Sequence, residues 1–175
     1  MNPFAGGLRQ SLHQVLSVLL ILSSALMIWK TMSIVTNSEA PIVVVLTESM
    51  TPAFVRGDLL FLHQPDRPLD IGEIIVYKLE GKDIPIVHRI ISAQQEEKTG
   101  KQLLLTKGDY NDADDRGIYA ESRTGKLWLS RDEVVGVVNG YVPAVGYVTI
   151  MMNDFPRLKY VLLGGLGLFA LFSRE

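Results

Sequence analysis

The sequence predicts a mainly β domain carried between an N-terminal membrane-spanning helix and a short apolar C-terminal helix. Three observations carry that prediction. Val15–Val35 is one apolar run with a single charge, Lys30. From Pro41 to about Thr149 the pattern changes to short apolar runs separated by Gly, Pro and Asp, which is the spacing of an all-β domain. A second apolar run, Tyr160–Phe172, follows and is much shorter than the first.

Composition narrows the function classes before any motif is read. The 175 residues leave room, beyond membrane segments, for one globular core. A net charge of −2, from 17 basic and 19 acidic residues with no basic cluster longer than a pair, excludes an electrostatic footprint for nucleic acid. Cysteine is absent, which rules out disulfides, thiolate catalysis, zinc-thiolate centres and iron–sulfur clusters. No cofactor or metal is called for by any motif.

Residues 1–14 are a short polar start containing Arg9 and His13. The 21 residues of Val15–Val35 span about 31 Å as a helix, close to the ~30 Å hydrocarbon thickness. Trp29 and Lys30 near the far end suit the interface, where a lysine can snorkel. A cleaved signal peptide with Ser23-Ser24-Ala25 at its end is the competing reading, but the apolar run continues past that point. The expected topology places the N-terminus in the cytosol and the bulk of the chain across the membrane.

Candidate strands follow at Ile42–Leu46, Leu59–His63, Glu73–Leu79, Ile84–Ala93, Leu103–Thr106, Leu127–Leu129 and Val134–Tyr141, rich in the Val, Ile, Tyr and Phe that strands prefer. The polar stretch Gln94–Gln102 reads as an exposed hairpin tip. In the tail, residues 157–175, the thirteen residues Tyr160–Phe172 reach only about 20 Å as a helix. Partial insertion or packing on partner subunits is the expectation, with Gly164, Gly165 and Gly167 allowing close helix approach. A buried helix of the globular domain is the alternative. The expected division is therefore 1–14, membrane anchor 15–35, β domain 36–156 and C-terminal helix 157–175.

The chemistry centres on PIVVVLTESMTPAFVRGD, Pro41 to Asp58, where an apolar strand delivers Ser49 to a turn. A serine held at the end of a rigid strand and open to a ligand suits a nucleophile; a hydroxyl bonded to local backbone is the bland alternative. Of the three histidines, only His88 is set by alternation on an apolar face, with Ile84, Ile86 and Ile90. Burial there favours the neutral ring that a general base needs, although a core histidine fits the same pattern. KGDYNDADDRG, Lys107 to Gly117, holds Asp109, Asp112, Asp114 and Asp115. As a calcium loop it fails, with Asp114 where glycine is needed and Ala120 at the twelfth place. The readings left are a solvated turn or a carboxylate buried against His88. Arg56-Gly57-Asp58 could serve cell adhesion, but it also makes an ordinary turn before a strand.

Taken together, Ser49-Met50, Arg56 to Asp58, Val87 to Arg89, Lys107 to Asp109 and Asp114 to Gly117 resemble the signal peptidase family of serine peptidases. The likeness is strongest to its eukaryotic branch, the catalytic subunits of an endoplasmic-reticulum complex, and runs through NDFPRLKY, Asn153 to Tyr160, into the apolar tail. It implies a signal-peptidase-like β-domain in which Ser49 is the nucleophile and His88 the base, where bacterial relatives carry lysine. Asp115 matches the third triad member and Asp109 is a supporting carboxylate; which of the two meets His88 stays open. The Ser49 N–H is expected as one oxyanion donor.

The resemblance also implies signal peptides of nascent preproteins as substrates, cut on the lumenal side after small residues. Other complex subunits and membrane lipid are the implied partners, and the endoplasmic-reticulum membrane the location. A bilayer thinned around the short tail would favour short apolar substrate segments. A non-catalytic anchored scaffold is the alternative, disfavoured by retention of the serine, the histidine and both aspartates.

Overall fold

The computed structural model describes residues 3–82, 84–96, 100–122, 125–155, 157, 159–162 and 164–165. Helix α1 spans Pro3–Val35, so the polar start is helical from Pro3 onward. Its most apolar 18-residue window, within Arg9–Val35, has no buried residue. Leu20, Ile21 and Leu26 are 66–70% exposed although they point in different directions around the axis. A helix that is apolar all round and unpacked needs an apolar solvent, so α1 has the length and surface of a membrane span.

Among the described residues seven strands form one antiparallel sheet: β1 (Ile42–Val44), β2 (Leu59–His63), β3 (Ile74–Tyr77), β4 (Ile86–Gln95), β5 (Gln102–Lys107), β6 (Leu129–Ser130) and β7 (Val134–Val142). Their order is β1-β2-β7-β3-β4-β5-β6, which leaves one edge of β1 unpaired. All seven expected strands are present, Leu59–His63 with the expected bounds and the other six with shifted ends. β4 opens at Ile86 rather than Ile84, because Pro85 has no N–H for the ladder. β6 begins at Leu129, and Leu127 is exposed. Beyond β1 the chain leaves the ladder but stays tied down, with the Val45 N–H on the Asp58 carbonyl and the Gly57 N–H on the Val45 carbonyl. Residues 97–99 of the expected hairpin tip lie outside the described residues.

The sheet curls around two apolar clusters, one on each face of β3. Ile75 and Tyr77 join Leu69, Leu79, Ile90 and Leu104, while Val76 joins Val45, Met50, Phe54, Leu60 and Leu62. Burial on both faces is why β3 reads as an unbroken apolar run instead of alternating. On β7 a bulge at Val135, between the pairs Val76–Gly136 and Tyr77–Val134, resets the register. Val134 and Val137 can then share the first cluster.

Two short helices accompany the sheet, α2 (Arg116–Ala120) and α3 (Tyr147–Asp154). α3 occupies the end of the segment expected as β domain. Its β-branched Val148, Thr149 and Ile150 hide the helix from propensity, and only Ile150 is buried. Of the expected C-terminal helix, residues 157, 159–162 and 164–165 are helical, and 166–175 lie outside the described residues.

The Arg56-Gly57-Asp58 turn is structural. Asp58 is buried, and its carboxylate accepts the N–H groups of Val55 and Ala144. No carboxylate is left there for an adhesion receptor. Gly57 has φ +96, and a Cβ on it would lie 2.3 Å from the Tyr147 ring, so both the turn and the fit of α3 require glycine.

Candidate active site

Three segments from distant parts of the chain meet at one point. β4 carries His88, buried between Ile86 and Ile90 as its alternation requires. The loop after β1 carries Ser49, half-buried, with Met50 sunk in the second cluster as its anchor. The loop after β5 carries Asp115, which is 1% exposed. That loop closes on itself through the Asp115 N–H on the Thr106 carbonyl, and it grips the serine loop through the Tyr110 N–H on the Ser49 carbonyl, 2.9 Å.

The result is a chain of polar contacts. Ser49 Oγ lies 3.1 Å from His88 Nε2, and His88 Nδ1 lies 2.5 Å from Asp115 Oδ2. An ionised carboxylate only accepts, so Nδ1 carries the ring proton and Nε2 is left to accept from the serine hydroxyl. Ser49, His88 and Asp115 are thus brought together. Asp109 is not among them. Its carboxylate takes two parallel bonds from Arg89, 2.9 Å from Nε and 2.6 Å from Nη2. Arg89 follows His88 on β4 and so faces the other way. The Asp109 pairing holds the Arg89 guanidinium's proton more tightly than usual, chiefly through the hydrogen bond. His63, at the end of β2, and His13, on α1, make no hydrogen bond to any of the three among the described residues.

Sequence reasoning missed the groups that hold Asp115. Tyr77 OH donates to Asp115 Oδ2 at 3.1 Å, and Thr106 Oγ1 donates to the same oxygen at 2.5 Å. With its proton so committed, Thr106 Oγ1 accepts from Tyr119 OH at 2.6 Å, and Tyr119 OH accepts the Thr106 N–H at 3.1 Å. Three donors therefore converge on Oδ2, while Oδ1 is buried without a protein partner among the described residues. Charge-assisted hydrogen bonds of about 1.5–3 kcal/mol each offset much of the cost of burying the anion. Burial, with the Asp115 charge second, drives the Tyr77 phenol far above its ordinary range. Burial pushes Tyr119 up to about 12. Both phenols stay protonated donors at neutral pH. The signal for them was weak: Tyr77 and Thr106 fall inside expected strands, and nothing in the sequence sets Tyr119 apart.

Gly108 marks how tightly the loops meet. A Cβ there would lie 2.7 Å from the Ser49 carbonyl oxygen and 2.9 Å from His88 Nε2. Thr47 brings a second hydroxyl, its Oγ1 3.3 Å from Ser49 Oγ. The Ser49 N–H donates to no protein group among the described residues. Beside this centre opens a cleft of about 660 Å³, walled by Val43, Val44 and Leu46 on one side and Ile84, Ile86 and Val87 on the other. It is open, mostly apolar and lined in part by β1, a strand with one unpaired edge. Among the described residues no group of three or more His, Cys, Asp or Glu is placed to hold a metal.

Residues 147–172 match a family model described as the signal peptidase C-terminal short helix. The chain is 53% identical to the human protein named signal peptidase complex catalytic subunit SEC11C, over 95% of this chain and 85% of that one. The rat SEC11C is 52% identical with the same coverage. The fungal subunit SEC11 of Ajellomyces capsulatus (strain H143) is 50% identical over 100% of this chain and 98% of its own.

Proposed function

The chain belongs to the family of signal peptidase complex catalytic subunits, and on that premise we propose that it is a membrane-anchored serine endopeptidase that removes signal peptides from preproteins. Ser49 is its nucleophile, His88 its general base and Asp115 the carboxylate that orients His88. The observation that carries this reading is the continuous path from Ser49 Oγ through His88 to Asp115 Oδ2, opening on an apolar cleft.

In the first step His88 Nε2 takes the Ser49 proton as Oγ attacks the scissile carbonyl, and the Asp115 charge stabilises the imidazolium. We assign the Ser49 N–H as one donor to the developing oxyanion and the Thr47 hydroxyl, whose Oγ1 lies 3.3 Å from Ser49 Oγ, as the second. His88 then returns the proton to the leaving amine, releasing the mature chain. Water, deprotonated by the same nitrogen, releases the signal peptide from Ser49. The free edge of β1 offers main-chain groups to an extended substrate, and the cleft walls offer apolar surface to its side chains. Asp109 acts as a supporting carboxylate: with Arg89 it braces the turn whose Tyr110 N–H holds the Ser49 carbonyl.

The same reading assigns residues 1–14 to the cytosol, 15–35 to a single endoplasmic-reticulum membrane anchor, 36–156 to a lumenal peptidase domain and 157–175 to the apolar C-terminal helix. The partners are the other subunits of the complex, the signal peptides themselves and membrane lipid. The test is processing of a preprotein by the assembled complex carrying Ser49→Ala or His88→Ala. Each is expected to fall by several orders of magnitude with assembly intact. Normal processing by Ser49→Ala removes the serine-peptidase reading.

A further inference from the structure

The junction between α1 and the sheet, residues Thr36–Pro41, is built rigidly. α1 closes with the Ser38 N–H on the Ser33 carbonyl at 3.1 Å and the Asn37 N–H on the Ile34 carbonyl at 3.2 Å. Asn37 stands between them at φ +52. This is a Schellman stop with asparagine in the left-handed place, one of the few residues that accept it. The following residues are then tied to the sheet. The Gln64 N–H donates to the Thr36 carbonyl at 2.8 Å, and the Leu62 N–H to the Pro41 carbonyl at 2.9 Å. Ser38 is 3% exposed, and its hydroxyl donates to the carbonyl of Val135, 97 residues away, at 2.9 Å. Its own carbonyl accepts the Ser33 hydroxyl at 2.7 Å. A flexible tether would show solvated polar residues, whereas here the polar groups are committed, in part buried, to β2 and β7.

β2 and β7 are also the strands that position the reacting groups. β2 pairs with β1, which leads to Ser49, and β7 pairs with β3, which pairs with β4 and His88. The last turn of the membrane helix is therefore continuous with the framework of the active centre.

We propose that residues 36–41 form a depth gauge. They hold the centre at one height and tilt above the bilayer, so that the bond cut is chosen by its distance from the membrane as well as by side-chain fit. This rests on the reading that the substrate is a signal peptide held in the membrane. Asn37 and Ser38 are positioning residues and touch no substrate.

The experiment uses the assembled complex in membranes and a preprotein with two acceptable bonds four residues apart, about 13 Å in extended chain. The ratio of the two cuts is measured beside hydrolysis of a soluble peptide containing both bonds. Wild type is expected to favour one bond in the membrane. A Gly-Ser-Gly-Ser insertion between Asn37 and Ser38 is expected to move the ratio toward equality while the soluble peptide is hydrolysed as before. Ser38→Ala, which removes one hydrogen bond of about 1 kcal/mol, is expected to move the ratio toward equality by about two- to fivefold, and an unmoved ratio counts against the gauge. Asn37→Gly keeps the left-handed turn and is expected to keep the wild-type ratio. An unchanged ratio in the insertion variant overturns the gauge. If that variant loses hydrolysis of the soluble peptide, Ser38→Ala decides by the same ratio. A parallel Ser49→Ala complex separates the two readings. Cleavage that persists there defeats the peptidase assignment, and Ser49-dependent cleavage with an unmoved ratio defeats the gauge alone.

Discussion

Replacing Asp115 with asparagine keeps the shape of the side chain and removes the charge that faces His88. The contact is short, 2.5 Å from Oδ2 to Nδ1, and the group is 1% exposed. A carboxylate and an imidazolium with charge centres about 4 Å apart attract by about 4 kcal/mol at an effective dielectric of ~20. That attraction exists only once His88 has taken the serine proton, so its loss falls on the barrier. At about 1.4 kcal/mol per decade the rate should fall by about 10³-fold. The asparagine amide adds a second difficulty. Three donors, from Tyr77, Thr106 and His88, converge on Oδ2. If the amide nitrogen took that place it would meet them as a fourth donor, so the amide oxygen must take it and the NH₂ group must enter the site of Oδ1. Initial rates on a preprotein, measured on complex whose assembly and melting are checked in parallel, give the answer. A rate within tenfold of wild type, with assembly intact, refutes the assignment of Asp115 to the reacting group.

Four further outcomes are measurable at other positions. Gly108→Ala places a methyl 2.7 Å from the Ser49 carbonyl and 2.9 Å from His88 Nε2, and is expected to reduce cleavage by about 10²-fold. Gly117→Ala, with open space around it, should leave cleavage unchanged. Gly57→Ala combines φ +96 with a collision on Tyr147 and is expected to lower the melting temperature; adding Tyr147→Ala should recover part of the loss, because it restores space but not the backbone strain. Tyr77 and Tyr119 are raised above the ~10 of a free phenol, Tyr119 to about 12. Above pH ~10 the unfolded chain therefore loses protons that the folded one keeps, and stability falls as pH rises, by up to about 1.4 kcal/mol per unit for each phenol. Denaturant titrations between pH 9 and 11 should show this slope, and Tyr119→Phe should make it shallower.

The membrane helix and the β class were legible in the sequence because each rests on a pattern that local chemistry enforces. An apolar run long enough to cross a bilayer has few other uses, and short apolar segments between turn residues cannot build long helices. Alternation placed His88 correctly with Ile86 and Ile90, but Ile84, expected on the same face, precedes the strand and is 63% exposed. The choice between Asp109 and Asp115 was not legible, since both sit in one loop within reach of β4. It is decided by the neighbour of His88, because Arg89 points to the opposite face and takes Asp109, and by the Thr106 carbonyl, which draws Asp115 back under the ring.

α3 and the donors Tyr77, Thr106 and Tyr119 were hidden for a related reason. A phenol in a core looks the same in sequence whether or not its hydroxyl meets a carboxylate, and a β-branched segment reads as strand until the glycine turns at Gly57 and Gly146 seat it against β1. What the sequence by itself determined is what each segment must do about water: α1 leaves it for lipid, the strands bury alternate or both faces, and the polar loops stay near the surface. What only the tertiary structure decided is which loop meets which. Contacts between Ser49, His88 and Asp115 span dozens of residues, and hydrogen-bond geometry at 3 Å carries no signature in local periodicity.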